Sequence, residues 1–75
     1  MASVSKLIEK MEQQPHGIRY DEAKKVLESQ GYEVTTKNGS HRNFRNASGD
    51  LLTIKEETPT IKKHYVDKIL NRIKP

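Results

Sequence analysis

The stretch Gly31-Tyr32-Glu33-Val34-Thr35-Thr36-Lys37-Asn38-Gly39-Ser40-His41-Arg42-Asn43-Phe44-Arg45 changes the period of the chain and so decides the fold. Before it, apolar residues recur every three or four positions, as on one side of a helix. From Tyr32 they alternate, as on a strand. Tyr32 to Thr36 predicts a first strand, Lys37 to Ser40 a turn, and His41 to Asn46 a second strand centred on Phe44. Asn46-Ala47-Ser48-Gly49-Asp50 reads as a second turn, rich in residues that accept turn dihedrals. Leu51 to Ile54 is a third strand. Turns this short leave no room for crossovers, so the three strands form an antiparallel meander.

Helices flank the meander. Val4, Leu7, Ile8 and Met11 repeat at helical spacing, which predicts a helix over Ser3 to Gln14, capped by Ser3 or Ser5 and stopped by Pro15. His16 to Arg19 is a short connection. A second helix runs from Tyr20 or Asp21 to Gln30 with Ala23, Val26 and Leu27 as its stripe. Asp21 and Glu22 suit its positive end, and Gly31 suits the position past its last turn. Glu56 to Thr60 is a loop. Ile61, Tyr65, Val66, Ile69, Leu70 and Ile73 mark a final helix that begins between Thr60 and His64 and ends at Ile73 or Lys74. The order is α-α-β-β-β-α, an α+β fold with helices on one sheet face and the other face left for solvent or a ligand. One domain over residues 1–75 is expected, with residues 1–19 an N-terminal helix and linker and residues 20–74 the core.

Composition bounds the function. Seventy-five residues, 32% of them hydrophobic, make a thin core and exclude a second domain, a deep substrate cavity and a Rossmann-type nucleotide fold. Cysteine is absent, so thiolate catalysis, disulfides and cysteine metal sites are excluded. No apolar run is long enough for a membrane span. The opening Met1-Ala2-Ser3-Val4-Ser5-Lys6 holds no stretch fit for export, so a cytoplasmic protein is expected. Residues 1–33 carry five basic and six acidic side chains, residues 34–75 nine basic and four acidic. The positive charge belongs to the half that holds the strands. A polyanion is one reading of that charge, and simple solubility is the other.

Strand alternation sorts the side chains by face. With Phe44, Leu52, Ile54, Tyr32 and Val34 turned to the core, the opposite face gathers Lys37, His41, Asn43, Arg45, Thr53 and Lys55. Arg42 and Asn46 fall near the core-side edge. A slip of one residue would undo this assignment, and a plain solvated face is the competing reading.

Gly31-Tyr32-Glu33-Val34, followed by Gly39-Ser40-His41-Arg42-Asn43-Phe44-Arg45, resembles the HicA family of bacterial toxins. The likeness lies in a helix ending on a Gly-aromatic pair, a strand, then Gly-Ser-His with an aromatic three positions on. It continues through the Gly49 turn, Leu52-Thr53-Ile54, and Tyr65-Val66 with Ile69-Leu70, covering about residues 20 to 74. Residues Lys6 to Lys10, Pro15 and Arg19-Tyr20 look like a subgroup with an extra N-terminal helix. The resemblance implies a double-stranded-RNA-binding-domain-like fold. It implies a ribonuclease that cleaves mRNA with the motif histidine, His41, without metal or other cofactor, and that a HicB-like antitoxin neutralises. Two departures stand out: Arg42 where many relatives carry a second histidine, and Glu56-Glu57 where many carry a basic stretch.

RNA carries its own nucleophile, the ribose 2′-hydroxyl, and an imidazole can take its proton or protonate the leaving 5′-oxygen near neutral pH. Of His16, His41 and His64, only His41 sits in a turn–strand setting among cations. Gly39 and Ser40 let the backbone approach a phosphate closely. Lys37 and Arg45 could stabilise its developing charge, and Arg42, Asn43 and Lys55 complete the expected RNA-binding set. His16 and His64 are not spaced as metal ligands, and Glu56-Glu57 reads as a solvated acidic patch. Three functions remain open from the residues: a toxin ribonuclease, a non-catalytic RNA-binding module of the same fold, and a small interaction protein whose first helix docks a partner.

Overall fold

Three capping arrangements set the helical part of the chain, seen in a computed structural model that describes residues 3–73. Helix α1 spans Val4–Gln13, and the Ser3 hydroxyl accepts from the Lys6 N–H at 3.4 Å. Helix α2 spans Tyr20–Ser29. Glu22 reaches back to accept from the Arg19 backbone N–H at 3.0 Å, and both its oxygens take the Lys10 ammonium of α1 at 3.0 Å. Burial alone would raise the Glu22 carboxyl, but the Arg19 N–H and Lys10 outweigh it and hold the group below its ordinary value. At the other end of α2, the Tyr32 N–H reaches the Leu27 carbonyl and the Gly31 N–H that of Glu28. This paired closure needs a left-handed residue, and Gly31 supplies it at φ +88°. It turns the chain directly into the sheet.

Strands β1 (Glu33–Asn38), β2 (His41–Arg45) and β3 (Leu51–Lys55) form one antiparallel sheet in the order β1-β2-β3, and helix α3 spans Lys63–Ile73. The fold is α+β with the expected element order and a double-stranded-RNA-binding-domain-like architecture. One hydrophobic cluster holds it together. Phe44, Leu52 and Ile54 supply the sheet's part, Leu7 and Met11 that of α1, Ala23, Val26 and Leu27 that of α2, and Val66 and Ile69 that of α3. The Tyr32 hydroxyl donates to Asp50 in the β2–β3 turn, and Arg72 near the end of α3 donates to the same carboxylate oxygen at 2.8 Å. The Tyr32 bond, then Arg72, holds Asp50 below the usual carboxylate range, while burial and Asp50 push Tyr32 up.

Several details differ from the sequence expectations. The first turn is two residues, not four: β1 continues through Lys37 and Asn38, and Gly39 takes φ +59° in the first turn position, as a type II′ hairpin requires. Pairing shifts between Val34 and Thr36, leaving Thr35 as an extra residue on β1. That bulge reverses the side-chain parity of the rest of the strand, so Lys37 lies opposite Arg42 on the helix-side face and is not on the face of His41. Ile18, in the segment read only as a connection, is fully buried, and its carbonyl accepts from the Ile61 N–H at 2.8 Å. Ile61 is core as expected but precedes α3. Glu56 and Glu57 are half-buried rather than solvated: Glu56 continues the β2–β3 pairing, its N–H donating to the Ser40 carbonyl at 2.7 Å, which pulls both residues against the fold.

Candidate active site

Directly opposed residues of an antiparallel sheet share a face, so the register fixes what the open side presents. Three rows cross it. Asn38, His41 and Lys55 form the row beside the hairpin turn. Thr36, Asn43 and Thr53 form the middle row, and Glu33, Arg45 and Leu51 the last. The middle row is hydrogen-bonded from edge to edge: the Asn43 amide donates to the Thr36 hydroxyl at 2.6 Å, and the Thr53 hydroxyl donates to the Asn43 amide oxygen at 2.6 Å.

His41 is the first residue of β2, exposed, and its ring has no hydrogen bond or ion pair with any described residue. Lys55 faces it from β3, and Arg45 lies two rows away on the same strand. Neither cation has an ion pair among the described residues, although Glu33 stands opposite Arg45. Leu51, 56% exposed, is the one large apolar side chain standing clear of the core among the described residues.

Gly39 and Ser40 lie exposed in the turn that leads into His41, and the helix side holds that turn in place. The Arg42 guanidinium donates to the Gly39 carbonyl at 2.6 Å and pairs with the Glu56 carboxylate at 3.0 Å. Only 18% of the Arg42 side chain is exposed. Arg42 is therefore separated from His41 by the plane of the sheet, and its charge is met by Glu56. Of the expected set, the structure brings His41, Asn43, Arg45 and Lys55 to one face, with Gly39 and Ser40 at its rim. It puts Lys37 and Arg42 on the other. Sequence reasoning missed Thr36 as the second anchor of Asn43, because the bulge that turns it outward leaves no mark in an alternating Thr-Thr-Lys run.

Among the described residues no group of three or more His, Cys, Asp or Glu side chains is placed to hold a metal ion, and no helix is long and apolar enough to cross a membrane. His16 lies in the α1–α2 connection. His64, in the first turn of α3, has its ring centroid 4.1 Å from that of Tyr65.

The sequence pattern of one family, described as HicA toxin of bacterial toxin-antitoxin, matches residues 20–74. The chain belongs to the HicA toxin family. The match spans α2 to the end of α3 and takes in the whole sheet, while α1 precedes it. No curated protein and no solved structure matches the chain. HicA membership makes this a toxin of a toxin–antitoxin pair, with RNA as the general class of substrate and a cognate antitoxin as the general class of partner. The Gly39-Ser40-His41 segment of this HicA chain lies at the hairpin between β1 and β2.

Proposed function

We propose that this HicA protein is a metal-independent endoribonuclease of the cytoplasm that cleaves mRNA through His41 and is neutralised by a HicB-like antitoxin. One observation carries the reading: an exposed imidazole without a side-chain partner stands at the start of β2, on a sheet face whose cations lack ion pairs among the described residues. His41 takes the proton of a ribose 2′-hydroxyl. The 2′-oxygen then bonds to the adjacent phosphorus, and the bond from phosphorus to the 5′-oxygen breaks. The products are a 2′,3′-cyclic phosphate and a 5′-hydroxyl, whose proton comes from solvent at this exposed site or from the imidazolium. Lys55 and Arg45 stabilise the charge on the pentacoordinate phosphate. Gly39 and Ser40 let the backbone close on the phosphate, and Asn43 contacts the nucleotide beside it. Lys37 adds to the field on the RNA from the other side of the sheet without touching the reacting phosphate, and Arg42, its charge met by Glu56, serves by holding the Gly39 turn. The route uses the nucleophile that RNA brings, so proton transfer and charge stabilisation are all the protein has to supply.

Incubating a labelled RNA with the protein in EDTA tests this. Cleavage to cyclic-phosphate ends, lost in His41→Ala, is the expected result. Salt-sensitive RNA binding with no cleavage would select the non-catalytic RNA-binding module instead. One observation favours that second reading: no described carboxylate bonds to His41 to orient its ring.

A further inference from the structure

The middle row of the open face is hydrogen-bonded across all three strands. An asparagine amide can make four hydrogen bonds, two as donor and two as acceptor. Asn43 sits on the central strand, and its neighbours on both sides engage it: Thr36 on β1 accepts from the nitrogen, and Thr53 on β3 donates to the oxygen. The Thr35 hydroxyl also anchors the Asn43 backbone, donating to its carbonyl at 3.3 Å. Sideways bonds to both flanking strands take one N–H and one lone pair. The remaining N–H and lone pair belong to the outer edge of the amide, away from the sheet. A threonine hydroxyl can donate or accept, so either orientation of the amide keeps one N–H and one lone pair on that outer edge.

We infer that Asn43 is a specificity-determining residue that reads one nucleobase of the bound RNA through this donor–acceptor edge, with adenine preferred, and that Thr36 and Thr53 are positioning residues acting through it. The inference rests on the reading that RNA lies over the open face. An amide edge pairs with a base that offers an acceptor beside a donor. Adenine offers that pair on both edges that face away from its sugar, N1 with N6 and N7 with N6. Guanine and cytosine offer it once and uracil on a single edge, where O4 and O2 share one N3–H, while a bidentate asparagine amide is the established match for adenine. Asn43 and His41 share a face two residues apart on β2, about 7 Å along the strand. The base that is read therefore belongs to a nucleotide next to the phosphate presented to His41.

The test is binding, not cleavage. Fluorescence anisotropy with His41→Ala protein would compare four short oligouridines that carry A, G, C or U at one central position. The A-containing RNA should bind roughly 5- to 150-fold tighter than the weakest of the four, the ratio one bidentate amide–base contact supports. Asn43→Ala should level the four. Thr36→Val and Thr53→Val should each shrink the ratio while the all-uridine RNA binds as before. Equal affinities in the parent protein overturn the inference. So does an Asn43→Ala protein that loses thermal stability but keeps the ratio, because the row is then only a sheet staple. A readable base preference in a protein that never cleaves RNA leaves this inference standing and overturns the proposed ribonuclease. Failure to bind any of the four at low salt overturns the inference too, since no base is then read.

Discussion

The two faces of the sheet are made of alternate residues of the same three strands, yet they treat charge in opposite ways. On the helix side Arg42 is closed into partnership with Glu56 and the Gly39 carbonyl, and, around the edge, Tyr32 and Arg72 with Asp50, while Lys37 on the outer strand has no ion pair among the described residues. On the open side His41, Arg45 and Lys55 meet no described carboxylate within ion-pair distance. A cation paired at home gains local stability and offers a polyanion little. An unpaired cation adds little to folding and remains available to phosphate. The strand cations, Lys37 and Arg42 on one side and Arg45 and Lys55 on the other, are thus divided by the pleat.

Six substitutions break or sharpen that contrast. His41→Ala is expected to lower RNA cleavage about 10²- to 10⁴-fold, the usual worth of general acid–base catalysis. Its urea-unfolding midpoint should stay near that of the parent, and a matching fall in stability would mean that His41 belongs to the scaffold. Phe44→Ala, from the opposite face, is the mirror experiment. Emptying the fully buried ring site should cost about 3–5 kcal/mol, measured by chemical denaturation. A domain of this size has only about 4–11 kcal/mol in total, so the loss takes a large share of its stability and should show as a much lower unfolding midpoint by circular dichroism. A Phe44→Ala protein of parental stability that merely lost cleavage would erase the distinction between the faces.

Charge removal gives a smaller and more selective effect. Arg45→Ala and Lys55→Ala should each reduce the salt slope of RNA binding by roughly 0.7, and each should shift stability by no more than about 0.5 kcal/mol. Lys37→Ala should change the slope less, because the bulge carries it to the other face. Equal slopes for all three would show that the RNA wraps the β1 edge. The smallest effect concerns pH. Asp50 is held below its ordinary 3.8, first by the Tyr32 hydroxyl and then by Arg72. A carboxyl lowered by folding stabilises the native state fully above its unfolded value and loses that contribution as pH falls through the folded one. The parent should therefore lose stability below about pH 4. Asp50→Asn should start less stable at pH 7 and decline less steeply, with Glu22 supplying the residual slope, as read from urea midpoints at pH 7 and pH 3. Cleavage at neutral pH should be unchanged.

Much of this was legible in the sequence because the signals were local. The helix ends depend on neighbours in the chain: Ser3 as a cap, Pro15 as a stop, Gly31 as the left-handed exit. Phe44, Leu52 and Ile54 declare the core face of β2 and β3 by alternation with polar residues, and His41, Asn43 and Arg45 lie on the other side. The reading failed where alternation was interrupted. Val34-Thr35-Thr36-Lys37 has no second apolar residue to reveal the change of phase, so the bulge is invisible in the sequence and plain alternation puts Lys37 on the wrong face. Ile18 was missed for a related reason. A single apolar residue in a short connection carries no period, and only its bond partner Ile61, distant in sequence, explains why it is buried.

By itself, then, the sequence determined the order of elements, the three-stranded meander, the family and the candidate histidine, because periodicity, turn chemistry and a short motif all act within a few residues. The tertiary structure alone decided which cations share a face with His41, that Arg42 is met by Glu56, and that Asn43 is gripped by Thr36 and Thr53. Those facts depend on strand register and on contacts between segments far apart in the chain, and a single extra residue on β1 is enough to change the first of them.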